Sequence, residues 1–228
     1  MFELIIANKN YSSWSLRPWV LMRELAIPFR EIMAPFGAEP GYPTIAEVSP
    51  SGRVPCLRHG DLRVWDSLAI VEYLAEAFPA VWPTDRVARA FARSAAAEMH
   101  SGFAALREQC SMNCGARIRL HRIDNALKRD LDRLDVLWNE GLRSFGGPYL
   151  AGSRFSAVDA FFAPVAFRKQ SYGFELPVAA NRYGERLLEL PAMQSWYAEA
   201  LKETWIDADH DEEVSRFGSW LQDLRESR

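Results

Sequence analysis

Two short stretches hold the residues best suited to chemistry. The first is Ser51-Gly52-Arg53-Val54-Pro55, followed eleven residues beyond the proline by Asp66-Ser67. Pro55-Cys56-Leu57 reads as a loop entering a short strand, Gly60-Asp61 as a hairpin turn, and Leu62–Trp65 as the returning strand. Ser67 stands just before Leu68-Ala69-Ile70-Val71, where a hydroxyl can cap a helix and the first-turn amides can hold an anion. Such a ββα unit offers an open backbone edge beside an anion site, which suits a peptide carrying a carboxylate. The second stretch is Asn10-Tyr11-Ser12-Ser13-Trp14-Ser15-Leu16-Arg17, a run of hydroxyls entering a helix. Ser13 and Ser15 are capping types there, because a helix start leaves amides to satisfy.

The elements that position these stretches follow from periodicity. Glu3–Ala7 is an apolar run suited to a buried strand. Leu16, Trp19, Val20 and Leu25 recur at helical spacing, with Pro18 tolerated in the first turn and Pro28 as the stop. Phe29–Ala34 reads as a second strand, and the Gly- and Pro-rich segment 37–50 as loop with a short helix near Thr44–Val48. The helix from Leu68 to Phe78 carries only Glu72 and Glu76 as charges, four apart, so it should be covered on more than one side.

Pro79–Pro83 reads as a linker, and from Asp85 the pattern is helical. One stripe runs through Ala88, Phe91, Ala95, Met99, Phe103 and Leu106, a second from Ile123 to Leu142. Ser156 and Asp159 form a capping-box pattern opening a third, unusually apolar helix that should lie at the centre of a bundle. A further helix begins at Pro191. After an acidic run, Val214, Phe217, Leu221 and Leu224 predict a last helix packing on the body, with closure over the site as the alternative.

Composition narrows the function. At 228 residues, 49% apolar, 25% charged and net charge -3, the chain reads as a globular protein with no general affinity for nucleic acid or anionic membrane. The basic cluster Arg117, Arg119, His121 and Arg122 lacks interleaved aromatics and reads as a solvated loop. With no apolar run of spanning length, no signal-peptide pattern at Met1–Leu4 and only three cysteines, a cytoplasmic protein without disulfides is expected. His59, His100, His121 and His210 are scattered and show no zinc-ligand spacing, so no metal is predicted.

On these motifs the chain resembles the glutathione S-transferases. The resemblance is strongest over residues 3–78 and at Gly152–Asp159, and the loop at 10–17 is similar to the zeta-class pattern of two serines, a cysteine and a serine leading to an arginine. It implies a thioredoxin-like α/β domain at residues 1–78, a linker at 79–84 and an all-helical domain at 85–228 lining the acceptor site. It further implies glutathione as co-substrate, a small hydrophobic electrophile as acceptor, and a homodimer. Val54, before a cis Pro55, would pair its backbone with the cysteinyl part of glutathione. Asp66 and Ser67 would hold the γ-glutamyl end, and Arg53 the glycyl carboxylate.

Ser12 takes the catalytic serine's place, with Ser13 and Tyr11 as rivals, and Trp14 replaces the zeta cysteine as a wall of the acceptor pocket. Arg107 is the candidate for an anionic acceptor group; Arg17 reads as a surface helix residue. The chemistry needed is thiol activation. A thiol of pKa about 8.5 is only a few per cent ionised at neutral pH, and a fall of about two units, roughly 2.7 kcal/mol, makes thiolate the major form. Branches of the family that reduce disulfides or dehydroascorbate carry Cys in this loop; here Cys56, Cys110 and Cys114 read as structural thiols, which disfavours that chemistry. Conjugation, a zeta-like cis-trans isomerisation of a maleyl compound, and a non-catalytic binding module are the open alternatives.

Overall fold

The computed structural model describes residues 1–37 and 39–226. The first part runs β1 (Phe2–Ile6), α1 (Ser13–Glu24), β2 (Phe29–Met33), α2 (Ile45–Val48), β3 (Cys56–His59), β4 (Leu62–Val64) and α3 (Ser67–Ala77). Its sheet has the order β2-β1-β3-β4. The β1–β2 pair is parallel, with Ile5 opposite Ile32, while β3 runs antiparallel to both β1 and β4. Alternation along β1 assigns the faces. Leu4 and Ile6 enter the main core with Leu16, Val20, Ile70 and Val71, whereas Ile5 joins Cys56 beneath Ile45 and Val48 of α2.

Helix α1 stops at Glu24, before Pro28, because Ala26 adopts a left-handed φ of 52°. On α3, Ile70, Val71 and Leu74 are buried, and Glu72 is bridged by Arg93 of the next helix at 3.0 Å. Ala69, Glu76 and Ala77 stay exposed, so within one chain this helix is covered less completely than its composition suggests.

A short turn at Pro79–Val81 leads into α4 (Arg86–Ser101), α5 (Ala104–Gln109), β5 (Ala116–Leu120), α6 (Asn125–Phe145), α7 (Ala157–Tyr172), α8 (Val178–Glu189), α9 (Pro191–Lys202), α10 (Ala208–Phe217) and β6 (Gly218–Asp223). The stripe through Met99 to Leu106 is not one helix: Phe103 at φ 54° breaks it and starts α5. α7 is the central helix expected from its composition and packs on α1, α4 and α8. Its start is held as the capping box predicts, with Asp159 accepting from the backbone amides of Ser156 at 2.9 Å and Leu150 at 3.0 Å.

The helical region also contains a two-stranded antiparallel sheet, β5 with β6, and here the expected final helix is corrected. The helix ends at Phe217, and Leu221 and Leu224 are exposed rather than packed on the body. The apolar spacing favours a helix, and pairing with β5 overrides it and selects the strand. No helix among the described residues is long and apolar enough to cross a membrane.

Candidate active site

A cleft of about 650 Å3 opens where the loop before α1 meets the β3 entry loop and the helical region. Ser12, Ser13 and Trp14 form one wall, and Arg53, Val54 and Pro55 another. Asp66 and Arg107 also line it. Ser67 does not; it is fully buried behind the cleft at the start of α3.

The Val54–Pro55 bond is cis. Arg53 is exposed at the rim. The cap of α3 is Asp66 rather than Ser67: its carboxylate accepts from the amide of Leu68 at 3.0 Å, while its other oxygen lies 3.1 Å from Nε2 of His100. Ser67 is the first helical residue, and its hydroxyl accepts from Nη1 of Arg17 at 3.5 Å. A guanidinium thus lies beside the N-terminus of α3.

The serine loop is stitched from distant parts of the chain. The amides of Lys9 and Asn10 donate to the carboxylate of Glu203 at 2.6 and 3.0 Å, and Trp196 donates to the Lys9 carbonyl at 2.8 Å. Burial pushes the Glu203 carboxyl up to about 7. The Asn10 side chain bonds Asn113 and the amide of Gly115. Gly115 is required by close approach, since a Cβ there would lie 2.5 Å from Arg225.

The hydroxyls of the loop are not equivalent. Tyr11 donates to Asp211 at 3.2 Å and accepts from Arg225, and burial pushes its pKa up to about 12. Ser12, the residue preceding α1, donates to Ser15 at 2.7 Å and makes no capping bond. Ser13 accepts from Nη2 of Arg168 at 3.3 Å. The C-terminal segment contributes to the wall, with His210 and Glu213 on the cleft and His210 stacked on Phe36.

Arg17, Arg107 and Arg168 lie close enough to repel one another, and the first two flank Trp14. The Arg17 guanidinium lies 4.1 Å and that of Arg107 4.9 Å from its ring centre. Arg17 is not a surface residue: it is 1% exposed, wedged between Trp14 and Phe161. Among the described residues none of Arg17, Arg107 and Arg168 forms an ion pair with a carboxylate. Burial, then repulsion from Arg107 and Arg168, holds Arg17 well below the usual arginine range. Arg107 donates to the carbonyls of Met99 and His100 at 3.3 and 3.0 Å, closing the end of α4, so part of its role is structural. Cys56, Cys110 and Cys114 are all buried, and burial pushes Cys110 up to about 12.

Arg168, Glu203, Asp211 and Arg225 were not singled out from sequence. Each acts on the loop from at least 155 positions away, and no local pattern marks them.

The chain is similar to known proteins in sequence and in fold. The family model described as "Glutathione S-transferase, N-terminal domain" matches residues 11–77. Glutathione S-transferase Z2 of Arabidopsis thaliana is 30% identical over 168 residues, covering 69% of this chain and 74% of the relative. A probable maleylacetoacetate isomerase of Vibrio cholerae is 27% identical over 219 residues, covering 91% of this chain and 100% of the relative. A glutathione transferase homologue from Burkholderia gl BGR1, solved with bound glutathione, superposes with a TM-score of 0.66 at 25% identity, over 87% of this chain and 97% of that one.

Proposed function

The chain belongs to the glutathione S-transferase family, and from that membership we propose that it ionises glutathione in the cleft at Ser12–Trp14 and directs the thiolate at a small hydrophobic electrophile. The observation that carries this reading is the convergence of four separated segments on one cleft. Val54 lines that cleft at the entry to β3, where its backbone can pair with a cysteinyl residue added as a short strand. Asp66 and the amides of α3 meet the γ-glutamyl end, with Ser67 and Arg17 behind them, and Arg53 at the rim meets the glycyl carboxylate. The thiol then projects toward the α1 end, where a loop hydroxyl, Ser12 or Ser13, and the helix terminus stabilise its anion.

Residues 1–78 are proposed as the glutathione-binding domain, 79–84 as the linker, and 85–228 as the acceptor side. Trp14 supplies a flat apolar wall for the acceptor. The sulfur lone pair forms the new bond to the electrophilic carbon, which either expels its leaving group with the bonding pair or passes a π pair to the adjoining atom, where a proton from water takes it up. Detection of glutathione binding by calorimetry, followed by consumption of glutathione against aryl and alkyl electrophiles, tests the reading. A protein that binds no glutathione at millimolar concentration refutes it.

A second reading, cis-trans isomerisation of a maleyl compound, is favoured by the three arginines without carboxylate partners and by the similarity to the Vibrio cholerae relative. Arg107, half-buried against Trp14, is the residue we assign to an anionic acceptor group. In this reaction glutathione adds and leaves, so product forms with no net loss of thiol. Following thiol and product together separates the two readings.

The protein is further proposed to act as a cytoplasmic homodimer, since α3 keeps Ala69 and Ala77 exposed and Trp65, just before that helix, is itself 46% exposed. Two-fold pairing is the commonest closed symmetry. A monomer in sedimentation at micromolar concentration removes that part.

A further inference from the structure

We propose that Ser13, not Ser12, donates the hydrogen bond that holds the glutathione thiolate, and that Arg168 is the positioning residue that aims and polarises it. The proposal rests on the glutathione-binding reading above and concerns how the thiol is ionised. A serine hydroxyl has one proton to give and two lone pairs to receive with. The Ser12 proton goes to Ser15, whose oxygen also accepts from the amide of Ala7 at 3.3 Å. The Tyr11 proton goes to Asp211. Ser13 is the loop hydroxyl whose oxygen is occupied by an incoming donor, Arg168, while the residue lines the cleft. Its own proton is left to point at the cleft.

Arg168 is held for this task. Its Nε donates to the carbonyl of Cys110 at 2.8 Å, which fixes the plane of the guanidinium, and Nη2 reaches Ser13. Nη1 is buried and has no hydrogen-bond partner among the described residues. The residue is 4% exposed, lines the cleft and has no carboxylate beside it, an arrangement that is costly for a cation with a purely structural role. Burial lowers its pKa only to about 10, so it stays charged at neutral pH. Cys110, Cys114 and Tyr172 face it, and burial keeps all three in their neutral forms. Arg107 and Arg17, the neighbouring arginines, add positive charge.

A charge-assisted bond into the Ser13 oxygen strengthens the bond that hydroxyl donates in turn. As glutathione binds, its S–H bond breaks heterolytically, the proton leaves to solvent water and the electron pair stays on sulfur.

The test is titration of bound-glutathione thiolate absorbance with pH in the full-length protein. Ser13→Ala should raise the thiolate pKa by about one unit or more, while Ser12→Ala shifts it by a few tenths. Arg168→Met should raise it comparably, Arg168→Lys less, because lysine keeps charge but not the fork that spans Cys110 and Ser13. The Ser13→Ala/Arg168→Met double variant should be no worse than the larger single change, the signature of one pathway. Glutathione affinity should stay within a few-fold throughout. An unshifted Ser13→Ala, a shift carried by Ser12→Ala, or additive effects in the double variant overturns the proposal. Should Arg168→Met fail to fold by circular dichroism, Arg168→Lys decides the arginine's part, and a wild-type pKa in that variant overturns it. A wild-type protein that binds no glutathione sinks the underlying reading instead, whereas binding with unshifted pKa in Ser13→Ala sinks only this one.

Discussion

Replacing Arg17 with methionine should separate binding from folding. The guanidinium is 1% exposed and unpaired with any carboxylate among the described residues. Burying such a cation costs several kcal/mol. Against that stand two aromatic contacts, 4.1 Å from the Trp14 ring and 5.0 Å from that of Phe161. Each contributes up to about 2 kcal/mol when desolvated. Its single hydrogen bond, to Ser67 at 3.5 Å, is at the limit of a useful length. Its Nε has no partner among the described residues. The opposing contributions nearly cancel, and methionine fills a similar apolar slot without the charge. Arg17→Met should therefore leave the stability of the glutathione-free protein within about 1 kcal/mol, or raise it. The charge lies beside Ser67, at the proposed γ-glutamyl socket. Losing a charged hydrogen bond to the ligand there costs about 1.5–3 kcal/mol, or roughly 10- to 150-fold in affinity. Urea unfolding and calorimetric titration on the same preparations supply both numbers. A variant that loses more than about 2 kcal/mol of stability while binding glutathione normally would show that Arg17 is a packing element and that the carboxylate sits elsewhere.

Ser67→Ala should weaken glutathione binding by about 1–3 kcal/mol, measured by calorimetry; unchanged affinity would confine Ser67 to the start of α3. Arg107→Ala should lower kcat/KM for a carboxylated acceptor more than for its neutral counterpart, because only the former gains from a fixed positive charge. Equal losses on both would reduce Arg107 to closing the end of α4. Asp159 should give the fold a pH dependence. Burial raises its carboxyl from 3.8 to about 6, so the folded chain binds the proton more tightly than the unfolded one. Its stabilising contribution is complete below the unfolded value and is lost as pH rises through about 6. Urea midpoints at about pH 4.5 and about pH 7.5 should show this fall in the wild type and a smaller one in Asp159→Asn, which keeps the fall due to Glu203. That variant should also be less stable by about 1–3 kcal/mol, since its one oxygen can keep the bonds from Leu150 and Tyr183 while the NH2 in the place of Oδ2 cannot accept from Ser156.

What sequence alone determined here was local. Strand and helix order through α3 follows from alternation, apolar spacing and turn residues, each set by neighbours within a few positions. The Ser156–Asp159 box is equally local, and its two halves sit three residues apart. Resemblance in the motifs at Ser12, Val54–Pro55 and Asp66-Ser67 added the family, and the residues at those motifs meet at one cleft or directly behind it. Tertiary structure decided everything that depends on who lies opposite. Leu221 and Leu224 are spaced for a helix, yet the chain there pairs with β5 more than a hundred residues upstream. Arg17 reads as solvated until α7 brings Phe161 against it. The three loop hydroxyls look interchangeable in sequence, and their partners Ser15, Arg168 and Asp211 come from α1, α7 and α10. A hydroxyl has one proton, and where it points depends on which acceptors the docked helices bring within about 3 Å, a distance no spacing along the chain encodes.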